Sequence, residues 1–260
     1  MIPEIFVEQW RGNTNWQTLG MIEQDMVISR ALISIYNNQA VKDSLLFRGG
    51  TALNKIYIQP ASRYSEDIDF VQKRAEPIGK TLDQIKSSLI DWLGEPKRVI
   101  TERSAKLVYK YQSIEGTTAR LKIEINTTEH IQALPIAEIP FSMESEWHSG
   151  KCDISSYTIE ELMATKLRAL YQRRKGRDLY DLWLVFSSKR ANIDIVLPIF
   201  HQYCQHEGIN MSKSLFQKNL NLKRLNPDFR VDMNTLLPSN SNWDFEKAFD
   251  FVHEEIISKI

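Results

Sequence analysis

The sequence has no excess charge of either sign. Its 260 residues carry 33 Lys and Arg against 33 Asp and Glu, so no global basic footprint draws it to nucleic acid, although a local basic patch is compatible with that balance. Cysteine is scarce: Cys152 and Cys204 lie far apart, with no second cysteine near either. That argues against a disulfide framework or a zinc site and for reduced thiols in a cytoplasm. No apolar run approaches the ~18–20 residues of a membrane span, so no membrane association is expected. The start, Met1-Ile2-Pro3-Glu4, has neither the basic residues nor the apolar stretch of a secretory leader. Internal repeats and low-complexity segments are missing. The histidines are few and scattered; His201 and His206 are five apart, miss helical i,i+4 ligand spacing, and read as surface or packing residues.

What is present suits an ordinary globular chain, 25% charged and 42% hydrophobic, long enough for one large domain or two small ones. Apolar spacing predicts a helix over 17–38, a strand over 45–48, a short helix over 51–57 and a strand over 67–72. A helix over 81–93 and two strands over 105–112 and 119–126 follow. Residues 134–152, with Pro135, Pro140 and Gly150, read as loop with one short strand at most. From Thr158 onward the pattern turns helical, over 158–174, 177–187, 193–206, 212–220 and 243–257, and Thr158 with Glu161 forms a capping box. The expected organisation is an α+β lobe with a mixed sheet over residues 1–150, then a helical lobe over 151–260.

The chemistry is concentrated in Leu45-Leu46-Phe47-Arg48-Gly49-Gly50-Thr51-Ala52-Leu53 and Ser65-Glu66-Asp67-Ile68-Asp69-Phe70. Gly49 and Gly50 allow a sharp turn whose N–H groups can approach a polyphosphate. Thr51 opens a helix whose N-terminal dipoles favour an anion. Asp67 and Asp69 are two apart on a strand, so both carboxylates share one face while Ile68 and Phe70 take the other. Paired carboxylates on a rigid strand can hold Mg²⁺ against a triphosphate. Either element alone is usually a turn or a solvated strand face. Together they resemble the signature of the DNA polymerase β-like nucleotidyltransferase superfamily, with 16 residues between Gly50 and Asp67, a slightly long spacer. The alternating strand Arg120–Asn126 puts Glu124 on its polar face, where that superfamily places a third metal-site acid. A solvent-facing glutamate is the alternative.

In the helical part, Lys166 shares a face with Leu162 and Ala169. A lysine in such a stripe needs a partner, either a nucleotide phosphate or an acid from another element. The run Arg173-Arg174-Lys175-Gly176-Arg177-Asp178 could form i,i+4 pairs, Arg174 with Asp178 and Arg177 with Asp181, or could bind triphosphate or an RNA backbone.

With Glu161-Leu162, Lys166, Ala169, Arg174, Arg177, Asp178 and Asp181 added to the first two motifs, residues 20–190 resemble the AbiEii-type nucleotidyltransferases, toxin halves of abortive-infection toxin–antitoxin pairs. The resemblance implies a polymerase β-like lobe and a helical lobe closing a cleft, and Mg²⁺-dependent transfer of a nucleoside monophosphate from an NTP, in some relatives to the tRNA 3′ end. It implies a cognate antitoxin and a role in phage defence. Asp67 and Asp69 would hold metal, Gly50 and Thr51 cradle phosphate, and Lys166 reach the triphosphate; Asp178 would sit at the cleft. The competing expectations are an NTP-binding regulatory protein without efficient transfer and an interaction protein whose motifs are coincidental.

Overall fold

The computed structural model describes residues 2–260 and divides into two compact units. The first runs to Gln132 and resumes at Ile136–Tyr157; the second comprises Ala133–Pro135 and Thr158–Ile260. The expected boundary near residue 150 thus falls inside a strand of the first unit.

The first unit begins with helices α1 (Glu4–Trp10), α2 (Leu19–Tyr36) and α3 (Gln39–Ser44), then β1 (Leu45–Arg48). Helix α4 (Gly49–Ala52) follows at once and widens into a π-helical stretch, Leu53–Tyr57, before β2 (Asp67–Gln72). After α5 (Gly79–Leu93) come β3 (Lys97–Ile100), β4 (Ser104–Gln112), β5 (Thr118–Asn126), β6 (Ala137–Glu144) and β7 (Ser149–Ser156). These make one mixed seven-stranded sheet in the order β3-β4-β5-β2-β1-β7-β6. The β1–β2, β3–β4, β4–β5 and β6–β7 pairs are antiparallel; β2–β5 and β1–β7 are parallel. The sheet's apolar face carries Phe47, Ile68, Phe70, Ile123 and Ile125, all buried. Tyr36 of α2 meets Phe70 ring to ring at 5.9 Å and its hydroxyl donates to the Ser155 carbonyl at 2.9 Å. Burying an apolar face of this kind contributes about 25 cal/mol per Å², which fixes β2 in the middle of the sheet with its opposite, polar face free for chemistry.

The hairpin β6–β7 corrects the loop expected over 134–152. Pro140 misled that reading. It lies in β6, the outermost strand, where a missing N–H costs no inner ladder bond. Strand β3, at the other edge, was also missed; its four residues are mostly exposed and show no alternation.

The second unit is helical: α6 (Ile159–Gln172), α7 (Gly176–Ser187), α8 (Ile193–His206), α9 (Lys213–Arg224), α10 (Pro227–Val231) and α11 (Phe245–Glu255). Thr158 caps α6 by accepting from the Glu161 N–H at 3.3 Å. The other half of the expected capping box does not form. The Glu161 carboxylate is fully buried and accepts from Ala133 N–H (2.7 Å), Leu134 N–H (3.0 Å) and the Tyr203 hydroxyl (2.8 Å). Both cysteines are free and buried. No helix among the described residues is long and apolar enough to cross a membrane.

Candidate active site

The glycine turn and the aspartate strand are neighbours by sheet pairing. Antiparallel pairing sets Arg48 opposite Asp69, and parallel pairing sets Asp67 opposite Lys122 and Asp69 opposite Glu124. Glu124 in turn faces Lys106 on β4. One row across four strands therefore reads Arg48, Asp69, Glu124, Lys106, with Asp67 and Lys122 in the row beside it. The register puts Asp67 and Asp69 on β2 beside Glu124 on β5, on one face of the sheet.

Each acid has a different environment. Lys122 Nζ lies 2.7 Å from Asp67 Oδ2 and 3.4 Å from Glu124 Oε2. Lys106 Nζ lies 3.1 Å from Glu124 Oε1. Burial pushes the Glu124 carboxyl up, but Lys106 and Lys122 outweigh it and hold the group below its ordinary value. Arg48 pairs with Glu129 at 2.6 Å. Asp69 makes no ion pair or side-chain hydrogen bond among the described residues, and burial followed by the adjacent Asp67 charge pushes its carboxyl above the ordinary value. A half-buried carboxylate without a partner is costly, and a cation would relieve it.

The glycines are explained from within the chain. Gly49 has φ +81°, a left-handed conformation that favours glycine, and a Cβ there would come 2.6 Å from Asp69 Oδ2. Its bare Cα makes room for the Asp69 carboxylate. A Cβ on Gly50 would come 2.3 Å from Arg63 Nη2, and Arg63 is only 2% exposed. Arg63, which sequence reasoning missed, donates to the Tyr64 carbonyl at 3.1 Å. Thr51 is 1% exposed; its hydroxyl donates to the Asp67 carbonyl and lies 2.6 Å from Ser65 Oγ. That side chain ties α4 to the start of β2, leaving backbone N–H groups as the turn's means of meeting an anion. Lys55, further along the turn, is held by Asp25 Oδ1 at 2.7 Å and Ser29 Oγ at 2.9 Å on α2.

Lys166 and Asp178 lie in the second unit, in an ion cluster. Lys166 Nζ is 2.8 Å from Asp181 Oδ2 and 3.1 Å from Asp178 Oδ1. Both acids are fully buried. Of the two partners open to Lys166 in the sequence, the structure shows the acid. Burial raises the Asp178 carboxyl, yet Lys166 and Arg173 hold it down to about 2. Arg174 lies before α7, which starts at Gly176, and so has no helical i,i+4 relation to Asp178; Arg177 lies within α7 but turns to Asp232, and Asp181 takes Lys166. Arg173 takes Asp178 instead, at 2.7 Å, and Arg177 takes Asp232 at 3.2 Å. Arg174 is exposed. Gly176 must be glycine, since a Cβ would come 2.3 Å from the Phe229 carbonyl oxygen.

Three carboxylates offer hard oxygen donors of the kind Mg²⁺ prefers, and the unpartnered Asp69 fits a cation. Among the described residues, however, no three His, Cys, Asp or Glu side chains are gathered closely enough to hold a metal. Asp67 and Glu124 are drawn to lysines instead.

A glycine turn joining two central strands, with paired aspartates on the second and an acid beside them, defines a nucleotidyltransferase lobe. The family profile described as "Nucleotidyl transferase AbiEii toxin, Type IV TA system" matches residues 30–251. The chain belongs to this family of nucleotidyltransferase toxins. No curated protein sequence matches it. Among solved structures it is similar to MenT4, a nucleotidyltransferase toxin from Mycobacterium tuberculosis H37Rv, with a TM-score of 0.70 at 17% identity over 100% of this chain and 91% of that one. It is also similar to JHP933 from Helicobacter pylori, with a TM-score of 0.57 at 18% identity over 94% and 96%. A putative nucleotidyltransferase from H. pylori gives 0.59 at 18% identity over 94% and 99%. At these identities the likenesses establish the fold.

Proposed function

We propose that the chain transfers a nucleoside monophosphate from an NTP to the 3′ end of a tRNA, with Mg²⁺, in the cytoplasm, and that a cognate antitoxin restrains it. The observation that carries the metal-dependent reading is the Asp69 carboxylate, half-buried against Gly49 with no partner of its own. Mg²⁺ bound to these acids would neutralise charge developing on the phosphates. Asp67 and Asp69 would hold it from one strand face. Glu124 takes the proton of the acceptor hydroxyl, whose oxygen then bonds to the α-phosphorus as the bond to the bridging oxygen breaks and pyrophosphate leaves. Backbone N–H groups at Gly49 and Gly50 orient the triphosphate. Lys166 and Asp178 support the reaction indirectly, through the ion cluster that ties α6 to α7. Arg174 is free to meet an RNA backbone, whereas Arg177 is engaged by Asp232. Block of translation by tRNA modification supports a place in phage defence.

The test is incubation with each of four α-labelled NTPs and bulk RNA, with Mg²⁺ or with a chelator. Label appearing in RNA of tRNA size, lost with chelator and in Asp67→Asn, supports the reading. Label in other RNA overturns the acceptor. NTP binding without any transfer supports the regulatory alternative, which the lysines seated on Asp67 and Glu124 favour.

A further inference from the structure

The acids of this face are not bare. Lys122 donates its ammonium to Asp67 at 2.7 Å and reaches Glu124 at 3.4 Å, bridging carboxylates from β2 and β5. A divalent cation shared by those two acids would stand in the same place. No other ion pair or side-chain hydrogen bond engages Lys122 among the described residues. Its side chain is 35% exposed, so it has solvent to swing into on a flexible four-carbon stem.

We propose that Lys122 is a resident counter-ion, occupying a cation position on the carboxylate face and leaving Asp67 when a divalent metal arrives. Metal loading is then an ion exchange. This rests on the metal-dependent reading above and assigns a role to a residue that it does not use. Three observations carry it. The two contacts of Lys122 are Asp67, a proposed metal ligand, and Glu124, the proposed base beside it. Asp69, two residues from Asp67 on the same face, makes no ion pair among the described residues, so the face is only partly compensated. An ammonium exposed to this degree makes a weak pair, commonly ~0–1 kcal/mol, which a doubly charged ion can displace. Lys106, on the far side of Glu124, pairs with its other carboxylate oxygen at 3.1 Å.

The test uses the full metal-free chain without nucleotide and Mn²⁺ as the probe, followed by electron paramagnetic resonance and by thermal denaturation with and without Mn²⁺. Wild type is compared with Lys122→Met, Lys122→Gln and the charge-retaining Lys122→Arg. The neutral variants should bind Mn²⁺ at least tenfold more tightly than wild type and gain more thermal stability from it, while Lys122→Arg stays close to wild type. Lys122→Gln carries the comparison if the Met variant does not fold. Mn²⁺ affinity unchanged or weakened in the neutral variants, with wild type binding normally, overturns the exchange and leaves the metal reading standing. Absence of Mn²⁺ binding in every protein overturns the metal reading and the exchange with it.

Discussion

Replacing Lys166 by Met should unfold the protein more easily in the absence of any nucleotide. The Lys166 ammonium touches two carboxylates, at 2.8 and 3.1 Å, that are fully buried. At an effective dielectric of about 20, each contact is worth about 5 kcal/mol of gross attraction, most of it offset by the cost of taking three charges out of water. Removing the lysine leaves that cost without the attraction, and breaking a buried pair in this way costs ~3–5 kcal/mol. Arg173 still holds Asp178 at 2.7 Å, so the lower half of that range is expected. In a chain of this size each kcal/mol lowers Tm by roughly 2–4 °C, giving a drop of about 6–16 °C. Urea unfolding of the apo protein measures the free-energy loss and thermal unfolding the drop in Tm. The double variant Lys166→Met with Asp181→Asn should recover part of the loss, because one of the two buried charges that Lys166 compensates is gone. A loss below about 1 kcal/mol, together with weakened NTP binding, would refute the ion cluster and return Lys166 to the triphosphate.

Asp69→Asn should abolish transfer while leaving the apo protein as stable or more so, since it removes a half-buried, unpartnered charge; a folded variant with near wild-type transfer would end the metal assignment. Gly49→Ala should cost roughly 1–2 kcal/mol for the left-handed backbone alone and also displace Asp69, so activity should fall even where circular dichroism shows a folded chain. Asp178, held down to about 2, contributes stability that is complete above the ordinary aspartate range and lost as pH falls through it; acid titration of Tm should show a loss of about 2 kcal/mol between roughly pH 4 and 2, absent in Asp178→Asn. Burial lowers Lys223 to about 8, so above that pH the unfolded chain holds the extra proton. Stability should therefore rise from about pH 8 into the ordinary lysine range, and Lys223→Met should remove that rise.

The strand pair carrying the candidate site was legible because its signals are local. Alternation across Asp67–Gln72 and Arg120–Asn126 gives both the buried face and the acidic one, and β2 begins and ends where the pattern does. Parallel pairing of β2 with β5, which sets Glu124 beside Asp69, is a long-range fact with no local trace. The same holds for Lys122. Its place on the polar face is visible in the alternation, but its reach to Asp67 depends on the register between strands. The glycines were legible as a turn open to phosphate; that their bare Cα atoms also make room for Asp69 and Arg63 depends on β1–β2 pairing and on the path of the 16-residue spacer, which leave no local trace. Lys166 was read as needing a partner, and the choice between phosphate and acid turned on α7 beginning at Gly176, which sends Asp178 and Asp181 inward together.

Ala133–Pro135 groups with the helices although β6 and β7, which follow it, belong to the sheet. The polypeptide thus enters the helical unit, goes back to finish the sheet, and enters the helical unit again at Thr158. No single cut separates the two units cleanly. A fragment starting at Thr158 would lack the Ala133 and Leu134 N–H groups that solvate the Glu161 carboxylate, leaving a buried anion short of two donors. A fragment ending at Gln132 would expose the open side of β1, against which β7 pairs. An exchange of the helical unit for another would therefore have to carry the three-residue segment Ala133–Pro135 along with residues 158–260.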